Sequence, residues 1–135
     1  MARNALVDAG FLVALLNRRD SHHEWAVGQA PGHAAPWRTC EAVLSEAFHL
    51  LGAPGAPAIG ALLRRRALIA AFDLDADVEP VLKLLQKYAD VPMSLADACL
   101  VRMTETLPDP VLLTTDSDFR IYRRHGRQVV PCVMP

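Results

Sequence analysis

One stretch near the amino terminus constrains the fold more than any other. Ala5-Leu6-Val7 is a continuous apolar run, Asp8 ends it, and Ala9-Gly10 leads straight into the apolar segment Phe11-Leu12-Val13-Ala14-Leu15-Leu16. An unbroken apolar run, rather than an alternating one, is the mark of a strand buried on both faces of a parallel sheet. An Asp where such a strand meets a helix stands at the carboxyl edge of the sheet, where open α/β folds bind their ligands. A carboxylate in that place is costly unless something pairs it. The remaining chain must therefore supply what pairs Asp8.

The pattern of the chain predicts alternating strands and helices. The first strand covers roughly residues 3–8, and a helix follows to about Asn17. Ser21 is expected to cap a second helix from His22 to about Gln29, ended by Pro31-Gly32. A short strand is expected near Ala35 to Thr39, then a helix from about Cys40 to Leu51 with Ala42, Val43, Ala47, Leu50 and Leu51 at helical spacing. Gly52 should stop it, with Ala53 to Pro57 a loop and Ile59 to Arg66 a further helix ending in three arginines. Leu68 to Phe72 reads as a strand, and Asp75 or Asp77 as the cap of a helix from Val78 to Tyr88. Ser94-Leu95-Ala96-Asp97 opens a helix to about Leu107, broken by Pro108-Asp109-Pro110. Val111 to Thr114 is a strand, Asp116-Ser117-Asp118 starts a short helix ending near Gly126, and Gln128 to Val133 is the last strand. Strands alternating with helices imply an α/β domain whose parallel sheet is covered on both faces.

A chain of 135 residues is expected to form a single domain, 1–135, with a proper core. Fourteen basic and fifteen acidic side chains nearly cancel, which excludes a strongly basic, sequence-blind nucleic-acid binder. Cys40, Cys99 and Cys132 are odd in number and lie in apolar contexts, so they read as core thiols of a reducing compartment. The apolar stretch from Ala5 to Leu16 is too short to cross a bilayer, and Asp8 interrupts it as a secretory core. The expectation is a soluble, cytoplasmic protein with no membrane partner.

Other acids occupy places comparable with Asp8. Glu46 lies within the helix after the second strand, Asp97 is in the first turn of its helix, and Asp116 and Asp118 follow the strand Val111-Leu112-Leu113-Thr114. In a parallel sheet all such strand ends face the same way, so these acids can converge. Two carboxylates about 4 Å apart repel by roughly 4 kcal/mol at an effective dielectric near 20. A hard divalent cation removes that repulsion, and magnesium or manganese prefers oxygen ligands. Local readings compete: Asp8 can cap the first helix, Ser94 and Asp97 fit a capping box, Asp116 or Asp118 can cap the last helix, and Glu46 can be a surface residue. Capping explains Glu46 least, because it sits well inside its helix among apolar residues. Both readings stand at this point.

Four stretches taken together resemble the PIN-domain ribonucleases of the VapC toxin type. They are Leu6-Val7-Asp8 with its apolar helix, Leu44-Ser45-Glu46, Ser94-Leu95-Ala96-Asp97-Ala98, and Leu113-Thr114-Thr115-Asp116-Ser117-Asp118-Phe119. The resemblance spans nearly the whole chain. It implies a three-layer α/β/α fold with a central five-stranded parallel sheet, and magnesium- or manganese-dependent hydrolysis of RNA. It also implies a homodimer held by a cognate antitoxin. Asp8, Glu46, Asp97 and Asp116 fall on the four acidic positions of the motif and are the catalytic candidates. Asp8, Asp97, Asp116 and the less regular Asp118 are the metal candidates, with Glu46 binding metal or orienting the attacking water. The chain departs from the pattern after Asp8: the family often has a hydroxyl or amide side chain in the next two positions, and here they are Ala9 and Gly10. Thr115 is a polar partner beside Asp116, and Glu41 is a second acid near Glu46, more naturally at the helix start. A housekeeping PIN nuclease without an antitoxin and a PIN-like binding module without cleavage are the alternatives.

Other motifs carry less. His22-His23 point about 100° apart on a helix and make a poor chelating pair. Arg120, Arg123 and Arg124, with Arg127, form a basic group that reads as a solvated face or as contacts to RNA phosphates, and Arg64 to Arg66 form another. Trp25 and Trp37 read as core rather than as base-stacking platforms. Phe48, Leu50 and Leu51, with the small-residue tract from Ala53 to Leu63, read equally as core or as a dimer or antitoxin surface.

Overall fold

The computed structural model describes residues 3–135. Strand β1 (Asn4–Val7) passes through Asp8 into α1 (Ala9–Leu16), and α2 (His23–Gln29) leads to β2 (Trp37–Thr39). Helix α3 (Glu41–Arg64) precedes β3 (Leu68–Ala70), and α4 (Val78–Lys87) and α5 (Leu95–Thr106) precede β4 (Pro110–Leu113). A 3-10 turn, Ser117–Arg120, is followed by β5 (Arg123–Arg124), β6 (Gln128–Val129) and β7 (Cys132–Val133). Five strands form one parallel sheet in the order β3-β2-β1-β4-β7, and β5 and β6 form a separate antiparallel pair. Among the described residues no helix is long and apolar enough to cross a membrane.

The central strand is β1, paired with β2 through Leu6 and Arg38 and with β4 from Asn4–Pro110 to Val7–Leu113. Its apolar residues are fully buried, as are Val111, Leu112 and Leu113 beside them. Burial on both faces is why these runs do not alternate. Helix α1 packs against α3, and α4 packs against α5. The chain leaves β1 toward β2 and β3 and later returns to β4 on the other side of β1. Right-handed crossovers then put the two helix pairs on opposite faces. The strand order reverses between β1 and β4, which makes the crevice beyond their carboxyl ends the natural binding place.

Aromatic packing sets the core. Phe11 meets both Trp25 and Trp37 edge to face, with ring centroids 5.9 and 5.6 Å apart. Trp37 is buried, and its indole nitrogen donates to the His33 carbonyl at 2.8 Å. Cys40 and Cys99 are free and buried, and Cys132 is half-buried.

Several local expectations change. Gly52 does break α3, with a non-helical φ of 64° and ψ of -167°, but no loop follows: Ala53 to Pro57 are already helical and run on to Arg64. The break resets the helix start, so Pro54 falls in a first turn whose N–H groups need no partner. Ser21 does not cap α2; the Asp20 carboxylate accepts the His22 N–H instead, at 2.9 Å. The His23 ring bonds the Ala14 carbonyl at 2.8 Å and ties α2 to α1. Neither Asp75 nor Asp77 caps α4 with its side chain, because Asp77 turns to Arg102 at 3.0 Å. The expected helix from Asp116 to Gly126 is only the 3-10 turn, and the chain then reverses through His125 and Gly126, both at positive φ, into the β5–β6 pair. The expected last strand splits around Val130-Pro131 into β6 and β7, and only β7 joins the main sheet, beside β4.

Candidate active site

Asp8, Glu46, Asp97 and Asp116 line one cavity of about 150 Å³ at the carboxyl edge of the sheet, beside Gly10 and Thr115. Asp8 and Asp116 arrive there because β1 and β4 run parallel in register, so their ends stop at the same level. Asp97 arrives on the first turn of α5. Glu46 arrives on α3, where Val43, Glu46 and Leu50 all line the cavity. Steps of three and four residues put these on one face of a helix.

The local capping readings are all true as well. One Asp8 oxygen accepts the Phe11 N–H at 2.8 Å and so caps α1. Asp97 and Ser94 form a reciprocal capping box, with the Asp97 N–H on the Ser94 hydroxyl at 3.0 Å. Asp116 accepts the Asp118 N–H at 2.9 Å and caps the 3-10 turn. Capping and clustering are not alternatives, since a carboxylate has about four lone-pair sites and a cap uses one. Helix amino termini also favour the anionic form.

Two hydroxyls that the sequence pattern did not single out hold the cluster. The Thr114 hydroxyl donates to the second Asp8 oxygen and accepts the Asp116 N–H at 2.9 Å, linking the two acids across strands. The buried Tyr122 phenol donates to Asp97 at 2.9 Å. Tyr122 is itself wedged between Tyr88 and Phe119, with ring centroids 5.1 and 5.2 Å away. Thr114 was visible only as one residue of a motif. Tyr122 had no signal beyond its position three residues after Phe119.

The electrostatics report mutual proximity. Burial raises the Asp8 carboxyl from 3.8 to about 6; the charges of Asp116 and Asp97 push the same way, and the bonds from Thr114 and Phe11 oppose them. Burial also raises Asp97, again helped by Asp116 and opposed by the Tyr122 and Ser94 bonds. Burial and the bond to Asp97 hold the Tyr122 phenol protonated far above its ordinary range. Glu46 is exposed and Asp8 is buried, so the cavity has a wet rim and a dry floor.

The donor set suits a hard cation. It is all carboxylate oxygen, and the repulsion felt by Asp8 and Asp97 is the kind a divalent ion relieves. Among the described residues, no group of three or more acidic, His or Cys side chains is placed to hold a metal ion by itself. Magnesium commonly binds through one or two carboxylates and completes its shell with waters and substrate phosphate, so the residues fit that habit.

Other residues named from the sequence fall elsewhere. Asp118 does not line the cavity; its charge helps to raise the Tyr122 phenol. Glu41 is exposed at the start of α3 and also lies off the cavity. The Arg123 guanidinium donates to the carbonyls of Arg120, Ile121 and Tyr122 at 2.7, 3.3 and 3.0 Å. The Arg124 guanidinium donates to the Thr104 carbonyl. Arg120 is exposed. Phe48 and Leu50 are exposed large apolar residues, whereas Ile59 is fully buried.

No curated protein matches the sequence. The family model described as PIN domain matches residues 5–124, which includes every acid of the cavity. With its parallel five-stranded sheet and its acids gathered at the sheet's carboxyl edge, the chain belongs to the PIN domain family.

Proposed function

We propose that this protein is a magnesium- or manganese-dependent endoribonuclease, the VapC-type toxin of a toxin–antitoxin pair. PIN domains are generally nucleases, which supports the coarse reading. The observation that carries metal-dependent cleavage is the shared cavity of Asp8, Glu46, Asp97 and Asp116, in which Asp8 feels the charges of both Asp97 and Asp116; the toxin role rests on the resemblance of the four sequence motifs. Carboxylates kept in a cleft against burial first and one another's charge second occur more often at functional sites than at stabilising ones.

A divalent ion bound here would supply an activated water and charge stabilisation at the phosphodiester. Asp8, Asp97 and Asp116 are the residues that would hold it, and Asp118 would assist from the turn. Thr114 and Tyr122 fix the Asp8 and Asp97 carboxylates so that the holding groups do not reorganise during reaction. Glu46, exposed at the rim, would bind metal or orient the attacking water. Arg120 contacts RNA phosphates, joined by Arg123 and Arg124, whose guanidinium groups also bond the turn carbonyls and the Thr104 carbonyl of α5. The exposed Phe48 and Leu50 suit a homodimer or antitoxin contact.

The test is cleavage of total RNA with and without manganese. Asp97→Asn should abolish cleavage, and so should excess chelator with the parent protein. Undiminished cleavage in either case refutes the mechanism. A small antitoxin-like reading frame just upstream, and a stable complex of its product with this chain, would bear on the toxin role.

A further inference from the structure

Gly10 is the second residue of α1 and sits directly against the side chain of Thr115. A Cβ built on Gly10 would stand 2.2 Å from the Thr115 hydroxyl oxygen and 3.5 Å from an Asp8 carboxylate oxygen. No real pair of atoms tolerates the first distance. Gly10 has ordinary helical backbone, so its glycine is not there for conformational freedom. In a helix glycine is the least favourable residue after proline. What it provides here is room for a hydroxyl at the floor of the acid cavity.

Thr115 differs from its neighbour in what that hydroxyl does. Thr114 is engaged on both sides, donating to Asp8 and accepting from the Asp116 N–H. Among the described residues, none hydrogen-bonds the Thr115 hydroxyl, which lines the cavity. The other side chains lining it are aliphatic or carboxylate. Ionised carboxylates only accept hydrogen bonds. Thr115 is therefore the one cavity-lining side chain able to donate when the acids are charged. A phosphodiester brings acceptor oxygens into this cavity, and any that the divalent ion does not engage meet their one side-chain donor in Thr115.

We propose that the Thr115 hydroxyl contacts the substrate, donating to a non-bridging oxygen of the scissile phosphodiester, and that Gly10 is glycine to admit it. The inference rests on the nuclease reading above. The test uses an RNA whose cleaved bond has been mapped, made with each non-bridging oxygen of that bond replaced by sulfur in turn. Single-turnover cleavage is compared for the parent, Thr115→Val, Thr115→Ser and Gly10→Ala, each checked for an unchanged circular dichroism spectrum.

Loss of one hydrogen bond to a charged acceptor should slow Thr115→Val by about 10- to 100-fold. Thr115→Ser should stay within about 3-fold of the parent, because it keeps the donor. Sulfur at the contacted oxygen should slow the parent but not slow Thr115→Val further, a coupling that a purely structural role does not produce. Gly10→Ala should match Thr115→Val, and the double variant should be no slower than Thr115→Val alone. Parental rates in Thr115→Val, or sulfur and Val effects that multiply at both oxygens, overturn the inference. Parental cleavage by Asp97→Asn in the same assay overturns the nuclease reading instead.

Discussion

Replacing Asp8 by Asn should stabilise the metal-free protein at neutral pH and leave it almost unchanged in acid. The Asp8 carboxyl is lifted from 3.8 to about 6, chiefly by burial and then by the charges of Asp116 and Asp97. Keeping it ionised in the folded state at pH 8 therefore costs about 3 kcal/mol. The folded pKa lies above the unfolded one, so the folded chain binds more protons between them. Stability from this group is full below about pH 4, falls as pH rises through about 6, and is level above. About 1 kcal/mol is already lost at pH 4.5, leaving about 2 kcal/mol between pH 4.5 and 8. Asn keeps an oxygen for the Phe11 N–H but offers Thr114 a donor where it had an acceptor, at a pH-independent loss of about 1 kcal/mol. The two effects cancel near pH 4.5. At pH 8 the variant should be about 2 kcal/mol more stable, or roughly 6–10 °C in Tm. Urea unfolding of both proteins in chelator at the two pH values measures this directly. An Asn-minus-parent difference that is the same at pH 4.5 and pH 8 would show that no desolvated, repelled charge resides at position 8.

The same cavity makes further predictions. Manganese at about 100 times its dissociation constant should stabilise the parent by about 2.7 kcal/mol in a thermal melt, and Asp8→Asn should lose most of that gain. Tyr122→Phe keeps the ring stacked on Tyr88 and Phe119 but removes the bond to Asp97. It should cost about 1–3 kcal/mol in urea unfolding and, because that bond lowers the Asp97 pKa, move the acid limb of the cleavage profile to higher pH. Arg120→Glu should weaken RNA binding and flatten its salt dependence with the melt unchanged, whereas Arg124→Ala should lower the melting temperature by freeing the Thr104 carbonyl. A melt of Arg124→Ala identical to the parent's would show that its bond to Thr104 is not structural.

What the sequence alone determined is local. Continuous apolar runs announce strands buried on both faces, and Asp8, Asp97 and Asp116 each stand where a helix or turn begins, so their caps were legible in three or four residues. Parallel alternation then dictates that the strand ends share an edge. Local rules failed where context reset them. Gly52 broke the helix as expected, but a second helix starts directly after it where a proline-rich loop was expected, and Pro131 divided one expected strand between two sheets. Only the tertiary structure decided which oxygens meet. The register of β1 on β4 brings Thr114 to Asp8 and Thr115 over Gly10, contacts more than a hundred residues apart in the chain. It also decided that Arg123 bonds the carbonyls of its own turn, that Arg124 ties β5 to α5 at Thr104, and that Tyr122 reaches Asp97. Burial, repulsion and hydrogen bonding act over a few ångströms of space, and no spacing along a chain encodes such distances by itself.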